Sequence, residues 1–227
     1  MLRVWESVVP EEERMIFKKA GFEGLQQLGN RPALLVIDVV ESFVGTKPQH
    51  VMDAIEEFTT SCGNSGWEAI PHIRHILKLA RSSGMGVIYT KGSVTNKMFC
   101  GSSTKRDADR ESIQKTFSTP IVNEISPLEH EFVLEKAKAS AFFGTPLMTY
   151  LVRENIDCLF VVGTSTSGCV RATVVDGISY GYPMFVIEEG CFDRSQFFHN
   201  VSLFDMHAKY GTVISVKDFE SWVSAPK

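Results

Sequence analysis

The chain has 227 residues, of which 44% are hydrophobic and 22% are charged, and its formal net charge is −4. This balance suits one large domain and gives no electrostatic reason to bind nucleic acid or an anionic membrane. No apolar run approaches the about 18 residues that span a bilayer, and the N-terminus lacks the apolar core of a secretory signal. Five widely spaced cysteines without a C-x-x-C pair favour a reduced, cytoplasmic protein.

The predicted elements begin with a short charged helix, EEERMIFKKAG, which ends at Gly21. It lies in an N-terminal arm, residues 1–30, that we expect to pack on a neighbouring subunit. Residues 31–227 form the main domain. Its apolar runs and helical stripes predict strands at 33–40, 86–90, 131–136, 158–164, 183–189 and 212–216, and helices at 66–83, 145–155, 170–178 and 197–208. The polar, aperiodic segment 92–117 is a long loop that acts as a lid or contacts another subunit.

Strands that alternate with helices predict an α/β fold with a parallel sheet and helices on both faces. In such open sheets, ligands bind beyond the carboxyl ends of the strands, where the strand order reverses. Reactive side chains that directly follow strands are therefore the candidates for a functional site.

Three such side chains stand at predicted strand ends. Asp38 ends the apolar run LLVIDVV, and an acid there is costly unless it is paired or used. Lys136 ends the third strand, although periodicity alone does not separate it from Lys138. Cys169 lies in GTSTSGCVRAT at the start of a helix, where unpaired N–H groups lower a thiol pKa and the thiolate is available near neutral pH. By contrast, Cys158 lies inside a strand and is typical of an inert core cysteine.

An acid, a lysine and a cysteine at three strand ends suffice for an amidase. The carboxylate accepts the thiol proton, the thiolate attacks an amide carbon, and the protonated acid then assists the departure of ammonia. The lysine favours the charged forms of both partners.

Long stretches of the chain resemble the isochorismatase-like cysteine hydrolases, most closely the N-carbamoylsarcosine and maleamate amidase branch. RPALLVIDVVESF, LEKAKASAFFGT and GTSTSGCVRATVVDGISYGY are similar to that family's aspartate, lysine and nucleophile motifs, in the same order. The resemblance implies a catalytic triad of Asp38, Lys136 and Cys169, which selects Lys136 over Lys138. It also implies a three-layer Rossmann-like fold with strand order 3-2-1-4-5-6, no cofactor, and a homo-oligomer, either dimer or tetramer.

The resemblance extends to the substrate pocket. It implies a cis peptide bond between Thr164 and Ser165, so that the backbone N–H groups of Ser165 and Cys169 form an oxyanion hole. Arg194 is the implied ligand of a substrate carboxylate, with a surface ion pair to Asp193 as its alternative. Phe43 and Phe142 are expected to line the pocket.

Several alternatives remain at this point. The substrate is a small carboxylate-bearing amide or carbamoyl compound such as N-carbamoylsarcosine or maleamate, with nicotinamide, biuret and ureidoacrylate less favoured. Cys169 argues against isochorismatase-type ether hydrolysis, and retention of all three reactive groups argues against a silent assembly protein. The absence of G-x-G-x-x-G after the first strand argues against dinucleotide binding. The histidines do not form the Asp-x-His pattern of metal-dependent relatives, so we predict no metal.

Overall fold

A computed structural model describes residues 3–22, 24–101 and 110–225 of the chain. The six strands are β1 (Pro32–Ile37), β2 (Gly86–Gly92), β3 (Phe132–Lys136), β4 (Cys158–Thr164), β5 (Met184–Phe192) and β6 (Thr212–Ile214). The helices in the described residues are α1 (Glu11–Lys19), α2 (Glu41–Val44), α3 (Val51–Glu57), α4 (Asn64–Ser82), α5 (Val94–Cys100), α6 (Arg110–Phe117), α7 (Leu147–Arg153), α8 (Arg171–Ser179), α9 (Gln196–Lys209) and α10 (Val216–Ser224). No described helix combines the length and apolar character needed to cross a membrane.

The strands form one parallel sheet in the order β3-β2-β1-β4-β5-β6, which confirms the predicted α/β topology. Strand order reverses between β1 and β4, which pair in register from Pro32 opposite Cys158 to Ile37 opposite Gly163. The loops that follow β1 and β4 leave the sheet in opposite directions, because the next strands lie on opposite sides of this pair. The crevice that binds ligands in such sheets therefore opens above Ile37 and Gly163.

Both faces of the sheet are covered, as the unbroken apolar run of β1 predicts. Leu35 and Ile37 face a core that includes Leu203 of α9, whereas Leu34 and Val36 face a second core that includes Ile73 of α4. Successive side chains of a strand point to opposite faces of the sheet, so the short strand β1 contributes residues to both cores. The result is a three-layer arrangement of helices, sheet and helices.

The start of the N-terminal arm packs on its own chain, and contact of the arm with a neighbouring subunit stays a prediction. Trp5 is buried, and its ring centroid lies 6.2 Å from that of Phe204 and 5.2 Å from that of His207, both on α9. Burial of a large aromatic side chain gives the arm enough apolar contact to hold it there. Homo-oligomerisation and cytoplasmic location stay predictions.

Several element boundaries differ from those predicted. The first strand ends at Ile37, not at residue 40, because Asp38 turns out of the sheet with φ 50°. The last strand ends at Ile214 because Ser215 and Asp218 form a capping box that starts α10. Segment 92–117, predicted as a loop, contains α5 and α6, and its residues 102–109 lie outside the described part of the chain. Helices α2, α3 and α10 were not predicted.

Candidate active site

Asp38 is the first residue beyond β1 and is almost fully buried. Its backbone lies in the left-handed region, at φ 50°, which an aspartate tolerates better than most residues. Its N–H donates to the carbonyl of Thr90 at 3.2 Å, and the Thr90 hydroxyl donates to Oδ1 at 2.7 Å. Thr90, on the neighbouring strand, therefore orients the carboxylate and leaves Oδ2 for another partner.

That partner is Lys136, the last residue of β3. Its Nζ lies 2.7 Å from Oδ2 of Asp38 and donates to the carbonyl of Lys138 at 3.0 Å. Burial lowers the pKa of Lys136, but the charge of Asp38, and then Cys169, outweighs it and raises the pKa above its ordinary value. Lys136 thus remains an ammonium in a buried ion pair. Lys138, the local competitor, instead donates to the carbonyl of Cys100 at 2.6 Å.

Cys169 lies in a turn of π-helix, Thr166–Val170, that joins β4 to α8. The charges of the Asp38 carboxylate and the Lys136 ammonium both act on its thiol. Burial raises the pKa of Cys169 to about 12, and the nearby Lys136 only partly offsets this. The resting sulfur is therefore a neutral thiol, which corrects the prediction that the thiolate is available near neutral pH.

The corner that carries Cys169 is held by polar contacts from Asp193, which directly follows β5, and from α9. Oδ2 of Asp193 accepts hydrogen bonds from the backbone N–H of Ser167 at 2.9 Å and from its hydroxyl at 2.7 Å. Below them, Thr166 Oγ1 lies 2.8 Å from Nδ1 of the buried His199. The peptide bond between Thr164 and Ser165 is cis.

The reactive groups open into a cavity of about 610 Å³ beyond the carboxyl ends of the strands. Ser165 and Cys169, the predicted oxyanion-hole residues, both line it, as do Phe43 and Arg194. Phe142 does not have its predicted place in the wall. It is 3% exposed, belongs to the core on the α9 side of the sheet, and stacks on Tyr180 at a centroid distance of 5.4 Å.

Arg194 is the second residue after β5 and reaches the cavity from that side. Its guanidinium donates to the carbonyl of Thr60 at 3.1 Å, and its backbone N–H donates to Asp193 at 2.8 Å. The alternative, a surface ion pair with Asp193, is not the contact that its guanidinium makes. Arg171, two residues after Cys169, points instead to α9 and pairs with Asp205 at 2.7 Å.

Two residues of the site were not predicted from the sequence. Lys97 lies on α5, within a segment read as a loop, and its buried ammonium faces the cavity. Asp193 was considered only as a surface partner of Arg194, yet it is 5% exposed and holds Ser167. Lys97 would have become a candidate only if residues 94–100 had been predicted as a helix, because one face of such a helix is buried.

The described residues hold no group of three or more His, Cys, Asp or Glu side chains arranged for a metal ion. His72 and His75 lie three residues apart on the exposed side of α4, where His75 pairs with Glu220 of α10.

These features describe a hydrolase of the isochorismatase family, and the chain belongs to it: the isochorismatase domain matches residues 32–218. The chain is 31% identical over 217 residues to N-carbamoylsarcosine amidase of an Arthrobacter species, covering 92% of this chain and 78% of that protein. It is 29% identical over 194 residues to maleamate amidohydrolase of Pseudomonas putida, covering 84% and 85%.

The fold matches a solved structure of N-carbamoylsarcosine amidase from Thermoplasma acidophilum with a TM-score of 0.61 and 24% identity, over 82% of this chain and 96% of that one. At this identity the likeness concerns the fold. Together with the family match, it confirms the resemblance inferred from the three motifs.

Proposed function

We propose that the protein is a cysteine-dependent amidohydrolase that cleaves the C–N bond of a small carboxylate-bearing amide or carbamoyl compound and releases ammonia. One observation carries the proposal: the Asp38–Lys136 pair, 2.7 Å between Oδ2 and Nζ, lies against the Cys169 thiol at a cavity. Such an arrangement supports the proposal because attack on an amide carbon needs a base, a cation and a nucleophile close together. The names of the two amidase relatives support the same class of reaction.

The reaction begins with transfer of the Cys169 proton to the Asp38 carboxylate as the sulfur attacks the amide carbon. The carbonyl oxygen becomes an oxyanion, which accepts hydrogen bonds from the N–H groups of Ser165 and Cys169. The C–N bond then breaks, Asp38 returns the proton to the departing ammonia, and a thioester remains on the sulfur. Asp38 next takes a proton from water, which attacks the thioester and releases the acid and the thiol.

Lys136 stabilises the negative charges that arise on Asp38 and Cys169 during this cycle. Its ammonium favours the charged form of Asp38 before attack and stabilises the negative charge that the sulfur acquires. The neutral resting thiol, with its pKa of about 12, fits a sequence in which deprotonation and attack are coupled.

An anionic substrate is favoured by the charges around the cavity. Four cations line it in the described residues (Lys97, Lys136, Lys138 and Arg194), against two carboxylates, Asp38 and Asp193. Asp38 is neutralised by Lys136, and Asp193 is occupied by Ser167. The remaining positive charge attracts a carboxylate, which N-carbamoylsarcosine and maleamate both carry.

The test is ammonia release from N-carbamoylsarcosine, maleamate, ureidoacrylate, biuret and nicotinamide, measured for the wild type and for Cys169→Ser. We expect the wild type to turn over at least one of the carboxylate compounds, and acid quenching to trap an acyl adduct on Cys169 that mass spectrometry detects. Cys158→Ser is the matched control, because that cysteine is buried inside β4. Turnover that survives in Cys169→Ser would contradict the nucleophile assignment.

A further inference from the structure

Thr173, on α8, is a buried threonine that joins two segments of the candidate active site. Its hydroxyl donates to the carbonyl of Cys169 at 2.7 Å and accepts from the backbone N–H of Ala141 at 3.0 Å. A carbonyl only accepts and an amide N–H only donates, so the direction of both hydrogen bonds is fixed. One hydroxyl thus links the backbone of the nucleophile to the segment that follows Lys136.

The first of these hydrogen bonds is ordinary and by itself indicates no function. A threonine or serine in a helix commonly donates to the carbonyl four residues earlier. Ser179, at the end of the same helix, donates in this way to the carbonyl of Val175 at 2.7 Å. Thr173 differs because its oxygen also accepts a hydrogen bond from Ala141, which lies 32 residues away in the chain.

Strand pairing leaves the distance between the lysine segment and the nucleophile to other contacts. Strands β3 and β4 lie three strand positions apart, which corresponds to about 14 Å at the backbone. Asp38 is fixed relative to Cys169 because β1 pairs directly with β4. Lys136 spans the gap with its side chain, whose Nζ also donates to the carbonyl of Lys138 in the segment after β3. The link through Thr173 therefore holds this segment against the nucleophile from outside the sheet.

The surroundings of Thr173 leave no room for water to replace its hydroxyl. Thr173 and Ala141 are both 0% exposed. Removal of the hydroxyl leaves the Ala141 N–H without this acceptor, and a buried donor without an acceptor costs free energy. A shift of the segment relieves that cost but also moves the carbonyl of Lys138, on which the Lys136 ammonium depends. Val170 and Val174 pack in the same core, so a valine at position 173 suits the space but breaks the link.

We propose that Thr173 is a positioning residue for the nucleophile: its hydroxyl aligns the sulfur of Cys169 with the Asp38–Lys136 pair by tying the backbone of Cys169 to the segment after Lys136. This inference rests on the proposed amidohydrolase function and concerns the alignment of the reacting groups. The charges of Asp38 and Lys136 both act on the thiol, and such interactions weaken with distance. A displacement of about 1 Å between reacting groups costs about 100-fold in rate.

The first test measures ammonia release from the compound that the wild type turns over. Thr173→Val keeps the branched shape and removes both hydrogen bonds. We expect its kcat to fall about 10- to 100-fold and its KM to stay within about threefold, because alignment is lost and substrate binding is not. Thr173→Ser retains the hydroxyl and should keep kcat within about threefold of the wild type. The matched control is Ser179→Ala, which removes an exposed hydroxyl with the same local bond on the same helix and should change neither constant.

The second test needs no substrate. The infrared S–H stretching band of Cys169, assigned by its loss in Cys169→Ser, reports the surroundings of the neutral thiol. We expect Thr173→Val to shift this band and Thr173→Ser to leave it in place, since the charges of Asp38 and Lys136 act on the thiol. If the wild type releases no ammonia from any of the compounds, the proposed function fails, whereas a shifted band that serine restores still supports the positioning role.

Other outcomes overturn the inference. An unchanged band in Thr173→Val, whatever its melting temperature, rejects the positioning role. A raised KM with an unchanged kcat shows that Thr173 shapes the pocket instead, and a serine variant as impaired as the valine variant assigns the effect to the methyl group. If the valine variant does not fold, Thr173→Ala is compared with Thr173→Ser, because these two side chains differ only by the hydroxyl. If neither variant without the hydroxyl folds, the role is structural and the inference is rejected.

Discussion

Acidification should destabilise the fold through His199, the histidine beneath the nucleophile corner. His199 is 8% exposed, and its Nδ1 lies 2.8 Å from Thr166 Oγ1. Burial lowers its pKa to about 4, although the charge of Asp193 opposes the shift. The folded protein therefore holds this imidazole neutral at pH values at which an unfolded chain already protonates it.

The sign and size of the effect follow from linkage. Because the unfolded state binds the proton first, the free energy of unfolding falls as pH drops below the ordinary histidine pKa of about 6.5, and the loss is complete below about pH 4. A difference of about 2.5 pKa units corresponds to about 3 kcal/mol in all, of which about 2 kcal/mol is lost between pH 7 and pH 5.

Urea unfolding of the wild type and His199→Asn at pH 7 and pH 5 measures the contribution of His199 to the free energy of unfolding. Asparagine retains a polar atom near Thr166 but does not titrate, so we expect the variant to lose about 2 kcal/mol less than the wild type over this range. Other titrating groups contribute equally to both proteins and cancel in the comparison. An identical pH dependence of the two proteins would refute the reasoning.

Two further predictions concern the backbone around the site. Gly163→Ala should lower the free energy of unfolding in urea by about 2 to 4 kcal/mol, because Gly163 has φ +113° and an added Cβ overlaps the backbone of Ile37. The control Gly84→Ala should lower it by only about 1 kcal/mol, because Gly84 has φ +73° but nothing within 4 Å of an added Cβ. Equal losses in the two variants would contradict the close approach of Gly163 to Ile37. Asp193→Ala should lower kcat for ammonia release about 10- to 100-fold, because both hydrogen bonds from Ser167 are lost. Ser167→Ala keeps the backbone hydrogen bond and should lower kcat less. An unchanged kcat in Asp193→Ala would contradict the proposal that Asp193 positions the nucleophile corner.

The sequence alone was enough to predict the architecture and the three reactive groups. The apolar runs at 33–37 and 158–162 are strand-length and uninterrupted, because both faces of a central parallel strand are buried. Asp38, Lys136 and Cys169 stand out since polar groups directly after such runs fall at the ligand-binding edge of the sheet. The motifs around them supplied the strand order and the choice of Lys136 over Lys138.

Only the tertiary structure decided which other groups share the cavity and in what state. Phe142, an aromatic residue near the lysine motif, points into the core and stacks on Tyr180. Lys97, from a polar segment, points inward because α5 brings its side chain against Ala137 and Phe117. The protonation of Cys169 was likewise beyond sequence reasoning. A helix start favours a thiolate, but the balance between burial and a neighbouring ammonium depends on distances that arise only when separate strands meet.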